Sequence, residues 1–331
     1  MPKNKQNRHI HMANGSIIFP PVIEDAIASG CYRSYTTFVA HIFEQHSDLD
    51  RGPAASFRKI EQGTIDVSER LPRPLRGLIP EWPLKYRGSA HGTWRLVEMF
   101  AELNDVPEFS PVLHHLSDLD RMGMDLVMAG DSDGALAIVS SFFGLRSELE
   151  EDALAYRVHQ YLYAMALERC FLAVLYFSKE SSISMTGSAG RYLSSSLLPQ
   201  RKNGRYKSSL SVVIDRIIRQ IGYKNRNQYA QAREIASGGE VSASAVNNKL
   251  SAWSSGRQPV SPESLHAEFF PDEESRRNLV LPPASTPVLA SIFTHLANQC
   301  FREGKDTGWL MHQCESYDRY KADILQLLGD L

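Results

Sequence analysis

Residues 241–259 read Val241-Ser-Ala-Ser-Ala-Val-Asn-Asn-Lys-Leu-Ser-Ala-Trp-Ser-Ser-Gly-Arg-Gln-Pro259. Ser242 stands where a helix N-cap is wanted, Val246, Leu250 and Trp253 recur at three- and four-residue spacing, and Gly256 follows as a terminator. The segment predicts a short helix that buries one apolar face. Its other face exposes Ser244, Asn247, Asn248 and Ser251 beside Lys249.

Upstream, Leu210, Ile214, Ile217, Ile218 and Ile221 fall on one helical face and leave Asp215, Arg216, Arg219 and Gln220 on the other, with Gly222 as terminator. Asn225 and Gln228 have the spacing of a capping box, which starts a second helix and places Tyr229, Ala232, Ile235 and Ala236 inward until Gly238-Gly239 breaks it. Downstream, Ser261-Pro-Glu263 reads as a fresh N-cap with proline at the first helical position, and the helix carrying Leu265 and Phe269 stops at Pro271. Four helices of these lengths predict one compact module around the isoleucine stripe.

The module lies in a strongly basic setting. Between Arg191 and Val260 twelve Lys/Arg face three Asp/Glu, a local charge of +9 in a chain whose total is −2. That asymmetry points to a polyanion partner. At Asn248-Lys-Leu250 and Ser261-Pro-Glu263 the stretch resembles the lambda-repressor-like helix-turn-helix family, over about residues 208–270. The resemblance implies double-stranded DNA as partner. It also implies that Ser242, Ser244, Asn247 and Asn248 face the major groove, where amides pair bidentately with adenine and hydroxyls serve either partner. Lys249, Arg257 and Gln258 would then contact phosphates. Arg201, Lys202, Arg205 and Lys207 form a basic arm ahead of the module, suited to backbone or minor-groove contacts.

The rest of the chain reads as helical. At 331 residues and 43% hydrophobic content it can bury a sizeable core. We divide it into a basic tail with short helices (1–50), a proline-rich irregular segment (51–90), a helical bundle (91–178), a linker and basic arm (179–207), the helix-turn-helix module (208–270) and C-terminal helices (271–331). In the bundle, Val112, Leu113, Leu116, Leu119, Met122 and Leu126 predict a core-facing stripe, Asp131 to Gly134 a turn, Ala135 to Leu145 a helix and Asp152 to Phe177 a long one. Near the C-terminus, Val288, Leu289, Ile292, Phe293, Leu296 and Cys300 form one amphipathic helix, and Tyr317, Tyr320, Ile324, Leu327 and Leu328 another. These either pack on the bundle or build a homodimer or protein-partner interface. The fold class predicted is all-α, a helical bundle or helical-hairpin array with a compact module.

Chemistry-bearing motifs are sparse. The cysteines at 31, 170, 300 and 314 are too scattered for a zinc or redox pair, which suits a reduced, cytoplasmic setting. The N-terminal basic residues lack the apolar run of a signal peptide. The apolar stretch 161–177 is short and interrupted by Glu168-Arg169, so it reads as a buried helix, not a membrane span. His9 and His11 lack further ligands. His114 and His115, being adjacent, point to different helix faces, one packed and one exposed. Gly187-Ser-Ala-Gly190 lacks the Gly-Lys-Ser/Thr ending of a phosphate loop. No nucleophile elbow, zinc-protease motif or dinucleotide fingerprint occurs.

These features predict a non-enzymatic DNA-binding protein without cofactor or metal, a transcriptional regulator of bacterial or phage type. Two rival readings stand beside it. One is a helical scaffold that binds nucleic acid nonspecifically or docks an acidic protein; the other, weaker, is an effector enzyme with its site in the 90–180 bundle.

Overall fold

In a computed structural model of the chain, residues 17–20, 22–33, 37, 106–145, 152–179, 197–270 and 285–329 are described. The protein is all-α: among these residues the sole sheet is a two-stranded hairpin. The sequence expectations for 1–16, 38–105 and 180–196, which include His9, His11, the proline-rich segment and Gly187–Gly190, lie outside the described residues. No helix among the described residues is long and apolar enough to cross a membrane. The chain forms two compact units, one of residues 1–25, 33–195 and 315–331, the other of 26–32 and 196–314. Each is taken by itself.

The first helix, α1, is Val22–Ala28; in the first unit, α2 (Ser110–Met128) follows a short 3-10 turn, α3 is Ser132–Phe143 and α4 is Ala153–Lys179. Asp131 accepts a hydrogen bond from the Gly134 amide at 2.9 Å, so the predicted turn is the cap and first turn of α3 itself. Asp152 caps α4 in the same way, accepting from Leu154 and Ala155. The apolar stripe of α2 runs differently from the sequence reading. Val112 and Leu116 are fully buried, but the next positions on that face are Asp120 and Gly123, whereas Met122 is 53% exposed.

Asp120 explains itself through its partners: its Oδ1 accepts the backbone N–H groups of Ile17 and Ile18, both at 3.0 Å. Gly123 supplies the room, because a Cβ there would lie 1.8 Å from the Ile17 side chain. A buried carboxylate is tolerable when amides satisfy it. His114 and His115 are both exposed, against the expectation that one packs, because α2 turns that flank to solvent.

Helix α4 is buried along most of its length and pairs with α11 (Ser316–Leu327), the second of the two C-terminal amphipathic patterns. Their interface is polar as well as aromatic. Tyr320 directs its hydroxyl to the Phe143 carbonyl at 2.9 Å and lies 2.6 Å from His159 Nδ1. Arg319 donates to the same carbonyl, placing a cation at the C-terminus of α3. Arg169, 1% exposed, is held by Glu168 through Nε at 2.9 Å and Nη2 at 2.6 Å.

The second unit contains a hairpin, β1 (Gln200–Lys202) and β2 (Arg205–Lys207), followed by α5 (Ser209–Gln220), α6 (Arg226–Ala236), α7 (Ala243–Ser254), α8 (Pro262–Phe269), α9 (Ser285–Arg302) and α10 (Thr307–Cys314). Leu210, Ile214, Ile217 and Ile218 are buried, and α5 packs against α7 and α9. The C-terminal residues read as one block from sequence therefore divide at Cys314, with α9 and α10 joining this unit and α11 the other. Cys31, Cys170, Cys300 and Cys314 are all free and buried. Burial pushes the Cys170 and Cys314 thiols up to about 12, so neither ionises near neutrality.

Candidate nucleic-acid interface

Each helix of the module begins on a side-chain cap. Ser208, Asn225, Ser242 and Ser261 accept from the amides of Ser211, Gln228, Ala245 and Ser264 respectively. Gln228 also reaches back, its Oε1 accepting from the Lys224 amide at 2.7 Å. Such a cap contributes about 1 kcal/mol, enough to decide where a helix of this length starts.

Helix α7 is fixed by its apolar face and by its C-terminal end. Val246, Leu250 and Trp253 are buried. The Ser208 hydroxyl donates to the Ser254 carbonyl, and Asn298 of α9 donates to the Ser255 carbonyl at 2.9 Å, so two carbonyls at the helix end are satisfied by neighbours. Gly256 permits this approach: its φ is +68°, and a Cβ would meet Asn298 Nδ2 at 2.7 Å. The remaining face carries amides and hydroxyls beside Lys249. Ser242, Ser244 and Asn248 are exposed and Asn247 is half-buried. Ser242 uses an oxygen lone pair on the Ala245 amide and keeps its O–H as a donor.

The cations that sequence placed around this face divide into two groups. Lys249 Nζ is 2.6 Å from Glu268 Oε2 and 4.9 Å from the Trp253 ring centre, so it joins α7 to α8. Glu268, itself buried, also meets the Tyr229 hydroxyl at 2.9 Å and Arg233 at 3.7 Å. Lys207 Nζ is 2.6 Å from Asp215 Oδ2, and Arg226 Nε is 2.6 Å from Asp215 Oδ1. Burial opposes the charged form of Asp215, but the Lys207 hydrogen bond and the Arg226 charge outweigh it and hold the carboxyl below its ordinary value. By contrast Arg201, Lys202, Arg205, Arg257 and Gln258 are exposed, with Arg257 Nε donating to Ser255 Oγ at 2.9 Å.

Two expectations are corrected here. Residues 200–207 are an antiparallel hairpin, not a linker or arm, closed by Asn203 at φ +51° and Gly204 at φ +74°. Asn-Gly with both residues left-handed is the type I′ turn that matches strand twist, and that dipeptide is the signal the sequence carries for it. Ile235 is 80% exposed and Ala236 also exposed, against the inward placement expected. Six residues after buried Tyr229, Ile235 sits about 120° around the helix from it. Ala236 lies on the right face but at the last residue, where the chain turns away through Gly238 and Gly239, both with positive φ.

Among the described residues no group of His, Cys, Asp and Glu has the arrangement to hold a metal ion. Comparison with protein-family models, with curated proteins and with solved structures finds no match. The functional reading therefore rests on the chain's own residues.

Proposed function

We propose that the unit containing α5 to α9 is a duplex-DNA-binding module in which the N-terminal half of α7 enters the major groove, and that the protein is a non-enzymatic transcriptional regulator of the helix-turn-helix type. One observation carries this reading. Helix α7 presents Ser244, Asn247 and Asn248 without an intramolecular hydrogen-bond partner among the described residues, although asparagine and serine are mediocre helix formers. Side chains that cost helix stability and satisfy nothing internally suit base edges, which offer amides and hydroxyls paired donors and acceptors. Arg257 and Gln258, just beyond the helix, suit flanking phosphates.

A second reading has its own support: Lys207, Arg226, Arg233 and Lys249 are each paired with a carboxylate, which lowers the charge free for phosphate and favours a scaffold with nonspecific affinity. Selection of bound sequences from a random duplex pool at physiological salt separates the two. The regulator reading expects enrichment of a motif, and expects Asn247→Ala with Asn248→Ala to weaken binding to it by about 1–3 kcal/mol per lost bidentate pair while sparing random duplex. Failure to enrich any motif sinks it. Truncation at Pro199 is a poor substitute, since it also removes α11 from α4.

A further inference from the structure

Resting on the DNA reading above, we propose that the β1–β2 hairpin is a rigid two-cation clamp for the sugar–phosphate backbone of the same duplex, with Lys202 and Arg205 as its jaws. The register pairs Gln200 with Lys207, Arg201 with Tyr206 and Lys202 with Arg205. Cross-strand partners share a face and successive residues alternate, so Gln200, Lys202, Arg205 and Lys207 lie on one face, Arg201 and Tyr206 on the other. The Tyr206 ring meets Phe301 of α9 edge-on at 5.4 Å between centroids, which seats the second face on the unit. The first face carries three cations, of which Lys207 is neutralised by Asp215.

Lys202 and Arg205 are different. They stand directly opposite each other, both exposed, and among the described residues no carboxylate pairs with either. Opposed like charges destabilise a sheet, and a two-stranded hairpin has little stability in reserve. The arrangement is relieved when an anion lies between the two heads. A phosphodiester supplies one negative charge and acceptor oxygens that match both an ammonium and a guanidinium fork. Duplex DNA is favoured over an acidic protein because α7 of the same unit carries the amides and hydroxyl of Asn247, Asn248 and Ser244, which complement base edges, while its one cation, Lys249, is already paired with Glu268.

The hairpin's placement is also fixed. Asp215 holds Lys207 at the hairpin base and Arg226, the first residue of α6, on its two oxygens, and Arg226 Nη2 further donates to Ser211 Oγ at 2.8 Å. The clamp is thus indexed to the start of α6, and the two-residue turn leaves little freedom to lose on binding.

The test uses the full chain and the salt dependence of its affinity for a random-sequence duplex and for a selected one. Lys202→Ala with Arg205→Ala is expected to lower the log–log slope by about 1.8 on both duplexes, two phosphates' worth, without changing the motif selected. The exchanged pair Lys202→Arg with Arg205→Lys should keep the slope. Lys202→Glu gives Arg205 a partner across the strands, so it should raise Tm by about a degree while weakening binding, opposite signs that a merely structural lysine does not give. An unchanged slope in the alanine pair, or a lowered Tm in Lys202→Glu, overturns the clamp. The slope falling while no motif is ever selected leaves the clamp standing and removes the α7 reading. A selected motif with an unchanged slope does the reverse. Absence of any duplex binding by the unaltered chain at low salt removes both, and points the hairpin to an acidic protein.

Discussion

Helix α4 of the first unit carries Tyr156, His159, Gln160, Tyr161 and Arg169 at buried positions and gives each a hydrogen-bond partner within the protein. Helix α7 of the second carries Ser244 and Asn248 exposed and Asn247 half-buried, and among the described residues none of the three has a hydrogen-bond partner. The same class of side chain stands in opposite settings in the two places. In α4 polar groups specify one arrangement of the bundle, because leaving any of them unpaired in the interior costs about 1–3 kcal/mol. In α7 no such penalty attaches to Ser244 or Asn248, because both are exposed to water.

The contrast is broken most forcefully at Arg169. Arg169→Ala removes the cation that pairs with buried Glu168, and we expect a loss of about 3–5 kcal/mol by chemical denaturation. The double change Glu168→Leu with Arg169→Met should recover most of it. Asn248→Ala, on the other side of the comparison, should stay within about 0.5 kcal/mol of the parent. Equal losses at Arg169 and Asn248 would erase the distinction.

Lys249 offers a sharper cut, because it belongs to α7 and yet behaves like the bundle's polar groups. Its ammonium is half-exposed, so Lys249→Ala should cost only about 1 kcal/mol of stability, while leaving the salt dependence of DNA affinity unchanged. A slope reduced by about 0.9 would place Lys249 on a phosphate instead.

The smallest effect is confined to acid. The folded Asp215 carboxyl lies below its ordinary value of 3.8, so its contribution to stability is complete above that pH and is lost as pH falls through the lower folded value. Thermal melts taken from pH 5 downward should show this loss in the parent, and Asp215→Asn should flatten that part of the profile. A profile unaltered by Asp215→Asn would show that the Lys207 and Arg226 pairs contribute nothing to the fold.

Much of the module is legible in the amino-acid sequence because its information is local. Ser242, Asn225 and Ser261 announce helix starts through their own backbones, and the spacing of Leu210, Ile214, Ile217 and Ile218 declares a buried face. What escapes depends on distant partners or on the rarer chemistry of short strands. Asp120 and Gly123 continue the α2 stripe yet are not apolar, since their role is to receive Ile17 and Ile18 about a hundred residues earlier in the chain. The hairpin strands have three residues each and mostly carry charge, too short and too polar for alternation to show. For the candidate site, sequence does not reveal which cations are already engaged: Asp215 lies 8 residues from Lys207 and Glu268 19 residues from Lys249, each on a different element from its cation, and they become partners only on folding.

The pairing of α11 with α4 has a consequence for synthesis. On a ribosome, α4 emerges early, but the helix that delivers Tyr320 to His159 and Arg319 to the Phe143 carbonyl follows only after all of residues 196–314. The capped helices of the second unit can therefore acquire their core during translation while the bundle still waits for its closing strut, leaving the apolar flank of α4 exposed in the nascent chain. A polypeptide ending before Ser316 would lack the helix that covers α4, and faster limited proteolysis at α4 than in the full chain is the expected mark of that open bundle.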